Sequence, residues 1–179
     1  NIEKLKDLDP DFIVTQAHCE VCAVSFSHVE NITREHLGPK TKIISLQPNT
    51  LKEVFDDLER VASNLKIDPS KTNKLINGLK KRIENIKIRS SKLKKRKILC
   101  IEWTDPLMAA GNWMPEMIEI AGGKDILGKK GSDSHWIKFE NIIESDPDLI
   151  IFIPCGFNLD QTKHDVDTMI KGNDKWKNL

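Results

Sequence analysis

"IEKLKDLDPDFIV" at residues 2–14 returns as "FENIIESDPDLII" at residues 139–151. Aligned without a gap, the copies share a glutamate, an Asp-Pro-Asp triplet and one isoleucine, and they match apolar with apolar at four of the other eight positions. Each copy reads as a helix headed by a glutamate, stopped by Asp-Pro-Asp and followed by a short apolar strand. The stop is steric, because the residue before a proline is pushed out of the helical region. Glu3 and Glu140 stand at matched places, each six residues before the first aspartate of its triplet. A unit used twice in one chain points to two lobes built alike.

The intervening sequence supports that division. "TKIISLQP" (41–48) reads as a second strand. Thr50 then caps a helix with Glu53 three residues on, and Leu51, Val54, Phe55, Leu58, Val61, Ala62 and Leu65 form its apolar stripe. The longest periodic segment is 68–96, capped by Asp68 with Pro69 at the first helical position, and striped by Leu75, Leu79, Ile83, Ile86 and Leu93. "KILCIEW" (97–103) reads as a buried strand and 112–123 as a helix closed by Gly122 and Gly123. The second repeat supplies a helix near 138–145 and a strand at 149–154, and an amphipathic stretch ends at Gly172. Alternating strands and helices imply an α/β fold with parallel sheets. The expected organisation is a lobe over 1–67, a linking helix over 68–96 and a second lobe over 97–179.

Composition sets the outer bounds. With 39% apolar and 31% charged residues in 179, the chain can bury an ordinary globular core. No window approaches the roughly 18 apolar residues of a membrane span. Net charge is +1, but 12 of the 28 basic residues and one of the 27 acidic ones fall within 71–97. That basic helix reads as a solvated structural rod, since no aromatic residues interleave its charges as in many nucleic-acid-binding surfaces. Four cysteines at this length are no disulfide framework. The chain opens inside a motif with no secretory leader, as expected of a piece of a longer protein.

Ligands of open parallel sheets gather beyond the carboxyl ends of strands. Those ends lead here into "TQAHCEVCAV" (15–24), "TDPLMAAGNW" (104–113) and "PCGF" (154–157). Met108, Trp113 and Trp136 are candidate ligand walls, whereas Trp103 and Trp176 read as packing residues. His28, His36 and His164 read as solvated. "HCEVC" places His18 beside Cys19 and Cys22 at a spacing suited to a soft metal or a redox pair, with Cys155 or His135 as further ligands. The alternative is a loop packed by two small hydrophobes. No nucleophile elbow, phosphate loop, dinucleotide fingerprint or zinc-protease motif is present, so nothing points to an enzyme. Glu3 and Glu140 would present two acidic points on one rim, suited to a two-fold partner with basic sockets.

The opening repeat, the linking helix, "EWTDPLMAAGNWMPEMIEIAGG" and "FENIIESDPDLIIFIPCGF", in this order, resemble the substrate-binding proteins of ABC importers that carry cobalamin or iron-siderophores. "TQAHCEVCAV" and the Met108 segment are most similar to the cobalamin branch. The resemblance implies two Rossmann-like lobes bridged by one long helix, both incomplete here, with further elements before residue 1 and after residue 179. It implies a protein outside the cytoplasmic membrane, with an export signal or lipid anchor lying outside this sequence. Cobalamin or a related corrinoid would be its transported ligand, with no cofactor required and no nucleic-acid partner. The interlobe wall would comprise Gln16, His18, Met108, Trp113, Trp136, Pro154, Cys155, Gly156 and Phe157. Gln16 stands where relatives can place an aromatic residue, and His18 is a candidate axial ligand. Glu3 and Glu140 would engage the permease dimer. A ferric siderophore or haem is the alternative cargo, but the three strand-end loops carry no Arg or Lys for an anionic chelate. A metal- or thiol-dependent protein built on His18, Cys19 and Cys22 is the alternative from another class.

Overall fold

The computed structural model describes residues 2–17 and 25–178. In chain order the elements are helix α1 (Ile2–Leu8), strand β1 (Phe12–Gln16), helix α2 (Phe26–His36), strand β2 (Lys42–Leu46) and helices α3 (Leu51–Asn64) and α4 (Pro69–Ser90). There follow strands β3 (Lys97–Thr104) and β4 (Leu107–Ala109), helix α5 (Met114–Ile120), and the short strands β5 (Lys124–Asp125) and β6 (His135–Trp136). Helix α6 (Phe139–Ser145), strand β7 (Leu149–Phe152), helix α7 (Leu159–Gly172) and a 3-10 turn (Asp174–Asn178) complete the order. The architecture is α/β, as the alternation in the sequence implies. Two compact units are present, Asn1–Pro48 with Val54–Thr72, and Asn49–Glu53 with Asn73–Leu179. Helices α3 and α4 each run through the division.

The sequence repeat is also a repeat of geometry. Asp9 and Asp146 both adopt the left-handed region, with φ of 40° and 48°. Each closes its helix by donating its backbone N–H, Asp9 to Leu5 and Lys6, Asp146 to Ile142 and Ile143. Aspartate tolerates this conformation better than most residues. The second aspartate of each triplet then pins the neighbouring strand. Asp11 O accepts the Lys42 N–H at 2.9 Å, and the Asp148 N–H donates to Lys97 O at 2.9 Å. The Asp148 carboxylate also accepts the Lys97 N–H at 2.7 Å, which holds that carboxyl below the usual range. Glu–helix–Asp-Pro-Asp is thus a device for feeding a strand into a parallel pair.

In the first unit β1 and β2 pair in parallel from Phe12 opposite Lys42 to Gln16 opposite Leu46. Ile44, Phe55 and Ala62 are buried there. Helix α2 was not evident from periodicity; it starts at Ser25, whose Oγ accepts the His28 N–H, and closes with Gly38 at φ 76° donating to Thr33 O. The capping box that opens α3 forms as read, with Glu53 accepting the Thr50 N–H and Thr50 Oγ1 accepting the Glu53 N–H.

In the second unit β3 pairs in parallel with β5 and β7. The parallel expectation fails toward the carboxyl end of β3, where β4, on the same edge as β5, runs antiparallel to β3 and β6 antiparallel to β4. A two-residue connection at Asp105–Pro106, with a cis peptide bond, turns the chain straight back, and such a hairpin can only join antiparallel strands. Leu99, Ile101, Ala109 and Ile142, all fully buried, form one core with Trp176. Ile98, Cys100, Ala110 and Ile118 form a second.

Helix α4 ends at Ser90, six residues before the end that periodicity implies. Ser90 is buried, and its hydroxyl donates to Ile120 O at 2.6 Å. Gly122, at φ 88°, packs so closely that a Cβ there would lie 2.9 Å from the Ser90 Cβ. The inward face of α4 is Ile76, Leu79, Ile83 and Ser90 rather than the full stripe read from sequence; Leu75, Ile86 and Leu93 are exposed.

Candidate functional site

The site is built at the carboxyl end of β3. Ile98 and Cys100 belong to the core that includes Ile118 of α5, and Leu99 and Ile101 to the other core. Simple alternation would send Trp103 the way of Ile101. A register shift between Ile101 and Trp103 reverses this, so that Ile101 lies opposite Ala109 while Trp103 lies opposite Met108. Met108 in turn lies opposite Trp136. Directly opposed residues of antiparallel strands share a face, so Trp103, Met108 and Trp136 form one row across three strands. Phe157, after β7, adds an edge-on contact to Trp103 with ring centroids 5.7 Å apart. Trp136 is 58% exposed and Phe157 39%. The result is an aromatic and thioether shelf open to solvent, and none of its four side chains carries a charge.

Polar contacts behind the shelf hold it in place. Ser134 Oγ donates to the Glu102 carboxylate and accepts the Gly111 N–H. The Asn112 N–H donates to Ser132 O at 2.6 Å and the Gly131 N–H to Asn112 O at 3.0 Å. Gly111 is required by contact, since a Cβ there would lie 2.4 Å from Ser132 O. Asp125 Oδ2 and His135 Nδ1 are buried without a protein hydrogen-bond partner among the described residues. Burial raises the Asp125 carboxyl and lowers the His135 imidazole from their usual values, in each case favouring the uncharged form.

Of the residues singled out from sequence, Met108 and Trp136 lie directly opposite each other, and Phe157 packs on Trp103, which lies opposite Met108 on the neighbouring strand. Trp113 is half-buried at the start of α5. Pro154 is buried, Cys155 exposed, and Gly156 adopts φ 79°. Gln16 is exposed at the end of β1 in the first unit. His18, Cys19 and Cys22 lie outside the described residues, and among the described residues no group of three or more His, Cys, Asp or Glu is placed to hold a metal ion. Glu3 on α1 and Glu140 on α6 are exposed. Glu102, Gly111, Ser134 and Lys175 carry structure that no sequence signal marked.

The two described cysteines outside the "HCEVC" loop differ sharply. Burial, and then the nearby Asp125 and Glu102 charges, push the Cys100 thiol up to about 11. In a Cys19→Ser, Cys22→Ser background, iodoacetamide should therefore modify Cys155 readily at mildly alkaline pH and leave Cys100 untouched until the protein unfolds. Peptide mass spectrometry reads both sites, and equal labelling would contradict this placement.

The chain belongs to the periplasmic binding protein family, whose sequence profile matches residues 1–179. It is 28% identical over 117 residues to the high-affinity heme uptake system protein IsdE of Staphylococcus aureus, a match covering 65% of this chain and 40% of IsdE. Its fold is similar to that of an ABC transporter substrate-binding protein from Listeria monocytogenes, with a TM-score of 0.77 and 18% identity over 99% of this chain and 66% of that one. The periplasmic vitamin B12 binding protein BtuF of Vibrio cholerae is similar over 85% of this chain and 57% of its own, with a TM-score of 0.60 and 20% identity. The chain thus spans less than half of the curated relative and about two-thirds of the first of these structures. No helix among the described residues is long and apolar enough to cross a membrane.

Proposed function

We propose that this chain is part of the extracytoplasmic substrate-binding component of an ABC importer, and that its cargo is a metal-centred macrocycle, a corrinoid first among them. The shelf of Trp103, Met108, Trp136 and Phe157 is the observation that carries this reading. A broad, flat ligand buries its ring face most effectively on aromatic and thioether side chains, with a few polar groups fixing its orientation. The uncharged shelf suits a corrinoid, whose periphery is largely amide. Haem is the second reading, favoured by the similarity to a heme uptake protein; its two propionates would need cations from outside the shelf. The role is binding and delivery, without a chemical step.

Absorbance and calorimetric titration of the full-length protein with cyanocobalamin, aquocobalamin, haemin and a ferric siderophore tests the reading. One-site corrinoid binding at submicromolar concentration supports it. Haemin binding with no corrinoid binding transfers the shelf to haem, and binding of neither macrocycle overturns the proposal.

Glu3 and Glu140 would dock the two lobes on the permease. Exchanging both for alanine should leave ligand affinity within about twofold and reduce ligand uptake into proteoliposomes at least tenfold, because charged pairs at interfaces set both encounter and register. A fall in ligand affinity instead would remove these residues from the docking surface.

A further inference from the structure

Glu140 already has a cation from its own chain. Lys175 Nζ lies 2.8 Å from Glu140 Oε1, with both side chains 60% exposed. That hydrogen bond is the main reason the Glu140 carboxyl lies below its usual range. The lysine is not a freely ranging surface residue. Its neighbour Trp176 is buried against Phe139 and Phe152, with ring centroids 4.9 and 6.0 Å away. Its backbone N–H donates to Asn173 Oδ1 at 3.0 Å, and its ammonium sits 5.7 Å from the Phe139 ring centroid. The ammonium is therefore delivered to Glu140 by a fixed backbone. Beside the pair runs a groove of about 420 Å³ lined by Phe139, Glu140, Ile143, Glu144 and Lys175, with Ile143 half exposed.

We infer that Lys175 is an internal counter-ion occupying the partner's place on Glu140, and that docking must displace it before a cation of the partner can engage Glu140. This rests on the reading of Glu140 as a docking residue. The charge pattern selects that occupant. Two acids, Glu140 and Glu144, flank an apolar strip of Phe139 and Ile143, so a cation with an apolar neighbour is complementary to both. The exchange replaces one exposed pair by another, so its net gain is small, as reversible docking requires. The released ammonium remains within the groove that holds Glu144.

Binding of the ligand-loaded full-length protein to its permease complex in nanodiscs tests this, using Lys175→Met, Lys175→Arg, Glu140→Gln and the Glu140→Gln, Lys175→Met double variant. Lys175→Met should tighten binding roughly threefold and Lys175→Arg, a stronger internal partner, should weaken it. In the Glu140→Gln background the methionine substitution should have no effect. Weaker binding by Lys175→Met, or an unchanged affinity, overturns the exchange while Glu140→Gln still weakens docking. If Glu140→Gln docks like the unaltered protein, the docking reading falls, and the exchange with it. Circular dichroism and melting of each variant separate a folding defect from a docking effect.

Discussion

Trp136→Ala is expected to lower macrocycle affinity by roughly 10- to 100-fold while leaving the fold intact. The size follows from position: interface tryptophans at the centre of a buried contact commonly cost upwards of about 2 kcal/mol on truncation. Trp136 is 58% exposed, so little native packing is lost when it is removed. Stability should change by less than about 1 kcal/mol, the range for exposed positions away from special features. Calorimetric titration and thermal melting on the same sample separate the two quantities. Unchanged affinity would take the ligand off the shelf, and a large loss of stability would make Trp136 a structural residue.

Trp176→Ala should act in the opposite way, with a large loss of stability. Trp176 is 9% exposed and packs edge-on to Phe139 at 4.9 Å, in the cluster of Leu99, Ile101, Ala109 and Ile142. Truncating a buried tryptophan costs about 3–5 kcal/mol in transfer and cavity terms. For a chain of this size that corresponds to a melting temperature lower by roughly 6–20 °C. The conservative Trp176→Phe should recover most of the loss. Thermal denaturation followed by circular dichroism reads both variants, and an alanine variant that melts with the unaltered protein would contradict the packing described here.

These two tryptophans also show how far the sequence could be read. The repeat was legible because its chemistry is local: a proline ends each helix, and Asp9 and Asp146 accept the left-handed turn that closes it. The Thr50–Glu53 box was legible for the same reason. The antiparallel edge was not, because β4 and β6 are only three and two residues long and no periodicity survives at that length. Trp103 read as packing because it ends the apolar run of β3, and only the register shift places it in the row with Met108. The end of α4 depends on a hydrogen bond from Ser90 to a carbonyl 30 residues away, and the Glu140–Lys175 pair spans 35. Helix α2 had signals at both ends, in Ser25 and in Gly38 followed by Pro39, but Phe26, Val29 and Ile32 make a sparse stripe. Local rules exposed the framework, whereas the shelf and the counter-ion depend on contacts between distant segments.

A crystal structure of the full-length protein grown with saturating cyanocobalamin tests the central claim most directly. The account predicts the corrin ring in van der Waals contact with Trp136 and Met108, at the carboxyl end of β3. A corrinoid bound elsewhere, with Trp136 still exposed to solvent, would contradict it.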